Sequence, residues 1–139
     1  EEELMEYNKP LPRPNPDNQM FWEATKNHQL KFQKCQQCDN VRWPAALICP
    51  QCHSDQAQWI EVSGKGKVYT YAIYHQAFHP GFENDVPYVT ASIELEEGPR
   101  LLSNVINCEP DKVFCEMPVK VVWEDVSPDI SLPKFEPDN

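Results

Sequence analysis

From about Trp59 onward, apolar and polar positions alternate along the chain. KVYTYAIY (67–74), YVTASIELE (88–96), RLLSNVI (100–106) and VKVVWED (119–125) each place apolar side chains on one face at period two, which predicts four half-buried strands. EEGPR between the second and third predicts a hairpin turn, whereas the His75–Val86 connection is much longer. Four or five short strands with one long connection predict a small closed or nearly closed barrel, because closure removes exposed sheet edges. The N-terminal part has a different rhythm. Met20, Phe21, Ala24 and His28 recur near helical spacing and predict a helix over 18–30, with Asp17 or Asn18 available as its cap. Before it, Pro10, Pro12, Pro14 and Pro16 fix φ and remove donors, predicting an extended arm. The C-terminal SPDISLPKFEPDN is also Pro-interrupted and reads as extended.

Between the predicted helix and barrel lie four of the six cysteines, spaced Cys35-x2-Cys38-x10-Cys49-x2-Cys52. Each C-x2-C can form a tight turn that aims both sulfurs at one ion while backbone N–H groups face the thiolates. Two such knuckles make a closed tetrahedral site, the geometry of structural zinc, with no open position for catalysis. The spacing also admits a rubredoxin-like iron site, a dithiol redox pair or empty thiols. After the second cysteine of each knuckle the backbone needs positive φ. Asp39-Asn40 and His53-Ser54 stand there, and Asp and Asn tolerate that region better than most residues. Lys34 and Arg42 lie near enough in sequence to offset the site's negative charge, though such residues ordinarily belong to solvated surface. A module of this size cannot bury a sufficient core, so the ion is expected to supply much of its folding energy.

Charge narrows the choice of partners. A formal net charge of −10 with a pI near 4.7 argues against nucleic acid, whose affinity comes from Lys and Arg displacing counterions. A single-stranded nucleic-acid-binding module and an iron-based electron carrier are therefore the lesser alternatives. No long apolar run predicts a membrane span, and EEELMEYNKP lacks the basic and apolar regions of a signal peptide. The expected location is cytoplasmic, where paired cysteines more often bind metal than form disulfides.

Read together, FWEATKNHQLKFQKCQQC, WPAALICPQC, WIEVSGKGKVYTY, PYVTASIELEEGPRLLSNVINC, MPVKVVWED and LPKFEP resemble one family over nearly the whole chain. These are acyl-CoA-associated proteins with an N-terminal helix, a rubredoxin-like zinc ribbon and a C-terminal OB-fold, long catalogued as a domain of unknown function. The resemblance implies a mainly β chain with a Pro-rich arm and helix (1–33), a zinc ribbon (34–58) and an OB-fold with an extended tail (59–139). It further implies an accessory subunit in a hetero-oligomer with a thiolase-like or related enzyme of CoA thioesters. Within that class it points to benzoylsuccinyl-CoA thiolysis in anaerobic toluene breakdown. The cofactors implied are structural zinc and, for the complex, a coenzyme A thioester. Cys115-Glu116 is a departure, filling a turn that often carries glycine in relatives.

Catalysis by this chain alone is not expected. Thiolysis needs a nucleophilic cysteine with a base and donors aimed at the thioester oxygen. Cys108 and Cys115, the two thiols outside the cluster, have no sequence-local histidine. Candidate contacts to partner or CoA are His75, Phe78, His79 and Phe82 in the long connection, and Lys65, Lys67 and Arg100 near strand starts, where they can meet phosphates. Two histidines four apart bind metal readily only on a helix, and Pro80-Gly81 disfavours one. Tyr69, Tyr71 and Tyr74 resemble a base-stacking platform, but core or interface filling suits the acidic charge better. The two Pro-stiffened ends are expected to wrap the partner, since they lose little entropy on ordering.

Overall fold

The computed structural model describes residues 9–138. The N-terminal half of the expected arm, 1–8, lies outside the described residues. Residues 10–15 have no regular structure, and helix α1 follows at Gln19–Lys26. It is shorter than the sequence pattern suggests. His28 takes φ 57, its amide bonds the Thr25 carbonyl at 2.9 Å, and the Gln29 amide bonds the Ala24 carbonyl at 3.0 Å. That is a Schellman closure with histidine at the position glycine usually fills. Asn18 is the N-cap by position but not by side chain. Its Oδ1 instead accepts from the Asn15 amide at 2.8 Å.

Strands β1 (Lys31–Cys35), β2 (Val41–Arg42) and β3 (Ala57–Glu61) form an antiparallel sheet in the order β2-β1-β3. Trp59, where the period-two pattern was seen to begin, thus lies in the ribbon sheet, paired with Gln33. Next come β4 (Lys65–Tyr74), β5 (Tyr88–Leu95), β6 (Arg100–Val105), β7 (Pro118–Asp125) and β8 (Ser131–Pro137), which close a barrel in the order β4-β5-β6-β8-β7. Inward positions of β5 are Val89, Ala91, Ile93 and Leu95, all buried, while its alternate residues are half-buried, as the period-two pattern requires. They pack with Val68, Leu101, Val105, Val119 and Phe135, and this core continues into Phe21, Leu30 and Phe32 of the N-terminal part.

The C-terminal LPKF segment is a correction to the wrapping expectation: it is β8, paired along β7, with Phe135 fully buried in its own barrel. Two prolines are tolerated there because of the direction they face. The Phe135 carbonyl accepts from the Ile106 amide at 2.8 Å and the Pro133 carbonyl from Ser103 Oγ at 2.6 Å, so odd-numbered positions turn toward β6. Only Val105 and Phe135 are in ladder register across that seam, and the missing N–H groups of Pro133 and Pro137 therefore disturb little. No helix among the described residues is long and apolar enough to cross a membrane.

Candidate functional site

Cys35 ends β1, Cys38 closes the first knuckle, and Cys49 and Cys52 form the second. The knuckles share one backbone pattern. The Asp39 amide returns to the Cys35 carbonyl at 2.9 Å and the His53 amide to the Cys49 carbonyl at 2.9 Å. Asp39 and His53 take φ 65 and 66, the left-handed conformation expected after each second cysteine. The four sulfurs converge. Cys35 Sγ lies 3.5 Å from Cys52 Sγ, Cys38 Sγ lies 3.6 Å from Cys49 Sγ, and all four fall within 4.8 Å of one another. Zinc–sulfur bonds of about 2.3 Å at tetrahedral angles require sulfurs roughly 3.8 Å apart, so the donor set fits a four-thiolate metal.

Backbone amides tune these thiols. Amides of Cys38 (3.5 Å) and Gln37 (3.4 Å) face Cys35 Sγ, and the Gln51 amide (3.3 Å) faces Cys49 Sγ. Hydrogen bonds from Cys38 and Gln37 hold Cys35 below the ordinary thiol range, while those from Cys52 and Gln51 bring Cys49 down to about 6. At Cys38 the Asn40 amide pulls the same way, but burial and the neighbouring thiols Cys49, Cys52 and Cys35 push it up to about 12. Cys52 is raised similarly, its Ser54 hydrogen bond outweighed by burial and Cys35. Four thiols so close cannot all ionise without a cation, and a divalent ion removes that conflict.

Arg42 corrects the surface reading given above. It is 6% exposed, with Nε donating to Gln33 Oε1 at 2.9 Å and Nη2 to the Ala46 carbonyl at 3.1 Å. Gln33 Oε1 also accepts from the Ala46 amide at 2.9 Å, tying β1 and β2 to the loop that leads into the second knuckle. Nothing in the local sequence distinguishes this arginine from a solvated one.

The remaining predicted residues do not gather at one place. Lys67 pairs in register with Glu94, which pairs with Arg100, at the start of β4. The long connection leaves from Tyr74 at the other end, about 23 Å away along the strand. Lys67 Nζ is engaged by Glu116 at 2.9 Å, the Arg100 guanidinium lies 3.6 Å from the Tyr69 ring centre, and Lys65 is exposed opposite Lys120. In the connection, His75 is exposed and Phe78 is 75% exposed. No helix spans His75 and His79, as expected; one 3-10 turn forms after them at Pro80–Phe82, with proline in its first turn where no N–H is needed. His79 caps it, Nδ1 accepting from the Gly81 amide at 2.9 Å. Phe82 lines a cleft of about 490 Å³, together with Lys9, Tyr88, Asn104, Trp123 and Lys134, residues that sequence spacing did not single out. Cys108 Sγ also borders this cleft and donates to the Glu109 carbonyl at 3.5 Å, and Cys115 is exposed.

Comparison with known proteins agrees with this architecture. Residues 22–57 match the family model of the ChsH2 rubredoxin-like zinc ribbon domain, and residues 59–124 that of the ChsH2 C-terminal OB-fold domain. A DUF35 domain-containing scaffold protein of Methanocaldococcus jannaschii is 41% identical over 97 residues, covering 69% of this chain and 68% of that one. A probable enoyl-CoA hydratase alpha subunit of Thermomonospora curvata is 40% identical over 129 residues, 93% of this chain, and this chain spans only 40% of its length. The solved structure of an Ltp2-ChsH2(DUF35) aldolase matches with a TM-score of 0.84 and 40% identity, over 91% of this chain and 98% of that chain. By its closed four-cysteine ribbon, its five-stranded barrel and these similarities, the chain belongs to the DUF35 family of ChsH2-type zinc ribbon and OB-fold proteins.

Proposed function

We propose that this chain is a non-catalytic accessory subunit of an enzyme acting on CoA thioesters, with its four-cysteine zinc serving structure alone. The chief support is the match to 98% of a chain in an aldolase complex, together with relatives named as a hydratase alpha subunit and as scaffold proteins. The metal site is consistent with this role, because four thiolates leave no coordination position for a substrate. Large apolar side chains that stand out from the surface suit a docking partner: Leu47 is 75% exposed, Phe78 75% and Leu102 71%.

The finer assignment is to a thiolase-type partner, with benzoylsuccinyl-CoA thiolysis in aromatic-compound degradation as the specific case. In that assembly the long connection with His75, Phe78, His79 and Phe82 contacts the partner or the acyl chain, and Lys65, Lys67 and Arg100 face the CoA phosphates. The proline arm, 1–16, docks on the enzyme. Mild affinity capture from native cells, with mass spectrometry and light scattering, tests this. A thiolase chain in fixed stoichiometry is the expected result. A hydratase or aldolase chain keeps the accessory role and removes the thiolase assignment, and a lone protein removes both.

A further inference from the structure

A cleft of about 490 Å³ lies apart from the metal centre, and Phe82 of the long connection, proposed above to meet the partner or the acyl chain, forms part of its wall. Three of its lining residues, Phe82, Tyr88 and Trp123, are aromatic. Phe82 stacks on Tyr88 with centroids 5.4 Å apart at 26°, and Tyr88 on Tyr74 at 5.2 Å and 5°. The Trp123 ring lies parallel to His28 at 5.4 Å and 7°, and His28 Nε2 is 2.8 Å from Asp125 Oδ1, which holds the indole in place. Pre-set planar walls of this kind favour a planar apolar guest.

Two ammonium groups reach the same cleft. Lys134 Nζ donates to Asn104 Oδ1 at 2.6 Å, while the Glu124 carboxylate, at 3.8 Å, is beyond hydrogen-bond reach. An ammonium carries three N–H donors, and among the described residues Asn104 Oδ1 receives one of them. Lys9 pairs with Asp85 at 2.8 Å and lies 5.3 Å from the Phe82 ring centre. In both pairs the lysine is the less exposed member, 22% against 39% and 19% against 45%. Burial holds Lys134 below the ordinary lysine range, and the nearby Lys9 charge pushes the same way against the opposing pull of Glu124. An anionic oxygen arriving beside both ammonium groups would relieve their desolvation and repulsion.

We propose that this cleft binds a small aromatic carboxylate, its ring among Phe82, Tyr88 and Trp123 and its carboxylate on Lys134. Asp85 and Glu124 already balance the two lysines, so a monoanion adds one uncompensated charge where a phosphate dianion would add two. The lining residues named here all belong to this chain, so binding can be measured without the partner enzyme.

The zinc-loaded full chain is titrated with benzoate, benzamide and adenosine, following the Trp123 indole N–H signal assigned with Trp123→Phe. Benzoate is expected to saturate below about 10 mM, and benzamide to bind at least about tenfold more weakly for want of the charge. Lys134→Met should weaken benzoate by about tenfold or more while zinc content stays unchanged. Should that variant fail to fold, Phe82→Ala on the surface turn carries the test and should weaken benzoate comparably. Absence of saturation, equal binding of benzoate and benzamide, tighter binding of adenosine, or unchanged benzoate affinity in the folded variants would overturn the proposal.

Discussion

Between Lys31 and Glu61 the chain makes three strands, one of them only two residues long, whereas between Lys65 and Pro137 five strands close into a barrel. The buried side chains of the ribbon stretch are Phe32, Cys35, Arg42 and Cys49, two of them members of the four-thiol cluster and one a cation. The barrel strands bury Val68, Val89, Ala91, Ile93, Leu95, Leu101, Val105, Val119 and Phe135, with Ser131 of β8 the one buried polar side chain among their described residues. One region is therefore held by a few strong, specific bonds and the other by many weak, non-directional ones. The first depends on a metal and the second on shape.

Removing the metal is the strongest way to break this contrast. Cys49→Ser, or a chelator, should unfold the ribbon, forfeiting apparent stabilisation on the order of 10 kcal/mol, while the barrel amides keep their native shifts by NMR. Simultaneous loss of the barrel signals would mean that Phe21, Leu30 and Phe32 bind the two parts into one cooperative unit. The converse test is Phe135→Ala, which opens a cavity in the barrel and should cost about 3–5 kcal/mol in urea unfolding, with one zinc still bound by atomic absorption.

Smaller effects sharpen the comparison. A Cβ at Gly66 would collide with the Glu94 carbonyl oxygen, so Gly66→Ala should cost about 1–3 kcal/mol through the β4–β5 pairing and leave zinc affinity unchanged. Glu116 sits at φ 74, a strained position for a residue with a Cβ. Glu116→Gly should gain about 1 kcal/mol in thermal unfolding, less whatever the exposed Lys67 pair contributes. Least of all is the acid limb at Asp125, whose carboxyl is held below 3.8 by hydrogen bonds from His28 and then Ser131. A depressed carboxylate stabilises the fold above its ordinary pKa, and the contribution fades as pH falls through the lower folded value. His28→Phe should flatten that decline in acid titrations of stability below about pH 4, an effect confined to this corner of the barrel.

Much of this was legible in the chain. Cysteine spacing announced the knuckles, and Asp39 and His53 occupy the left-handed positions expected of them. Alternation announced β4 to β7. Glu116, flagged as standing where relatives carry glycine, does take positive φ. The fifth strand was hidden because Pro133 and Pro137 argue against a ladder, and only their orientation toward a sparsely paired seam reconciles them with β8. Strand β2 is too short for any periodicity to register.

Sequence by itself determined the four-thiol cluster and the strands β4 to β7, because ligand spacing and side-chain period act over a few residues. It did not determine that Arg42 is buried against Gln33, that Lys67 and Phe82 lie toward opposite ends of one hairpin, or that Lys9, Phe82, Trp123 and Lys134 share a cleft. Those facts depend on which strands become neighbours when the barrel closes. Closure is settled by the total packing of an apolar core, a quantity that no single stretch of the chain contains.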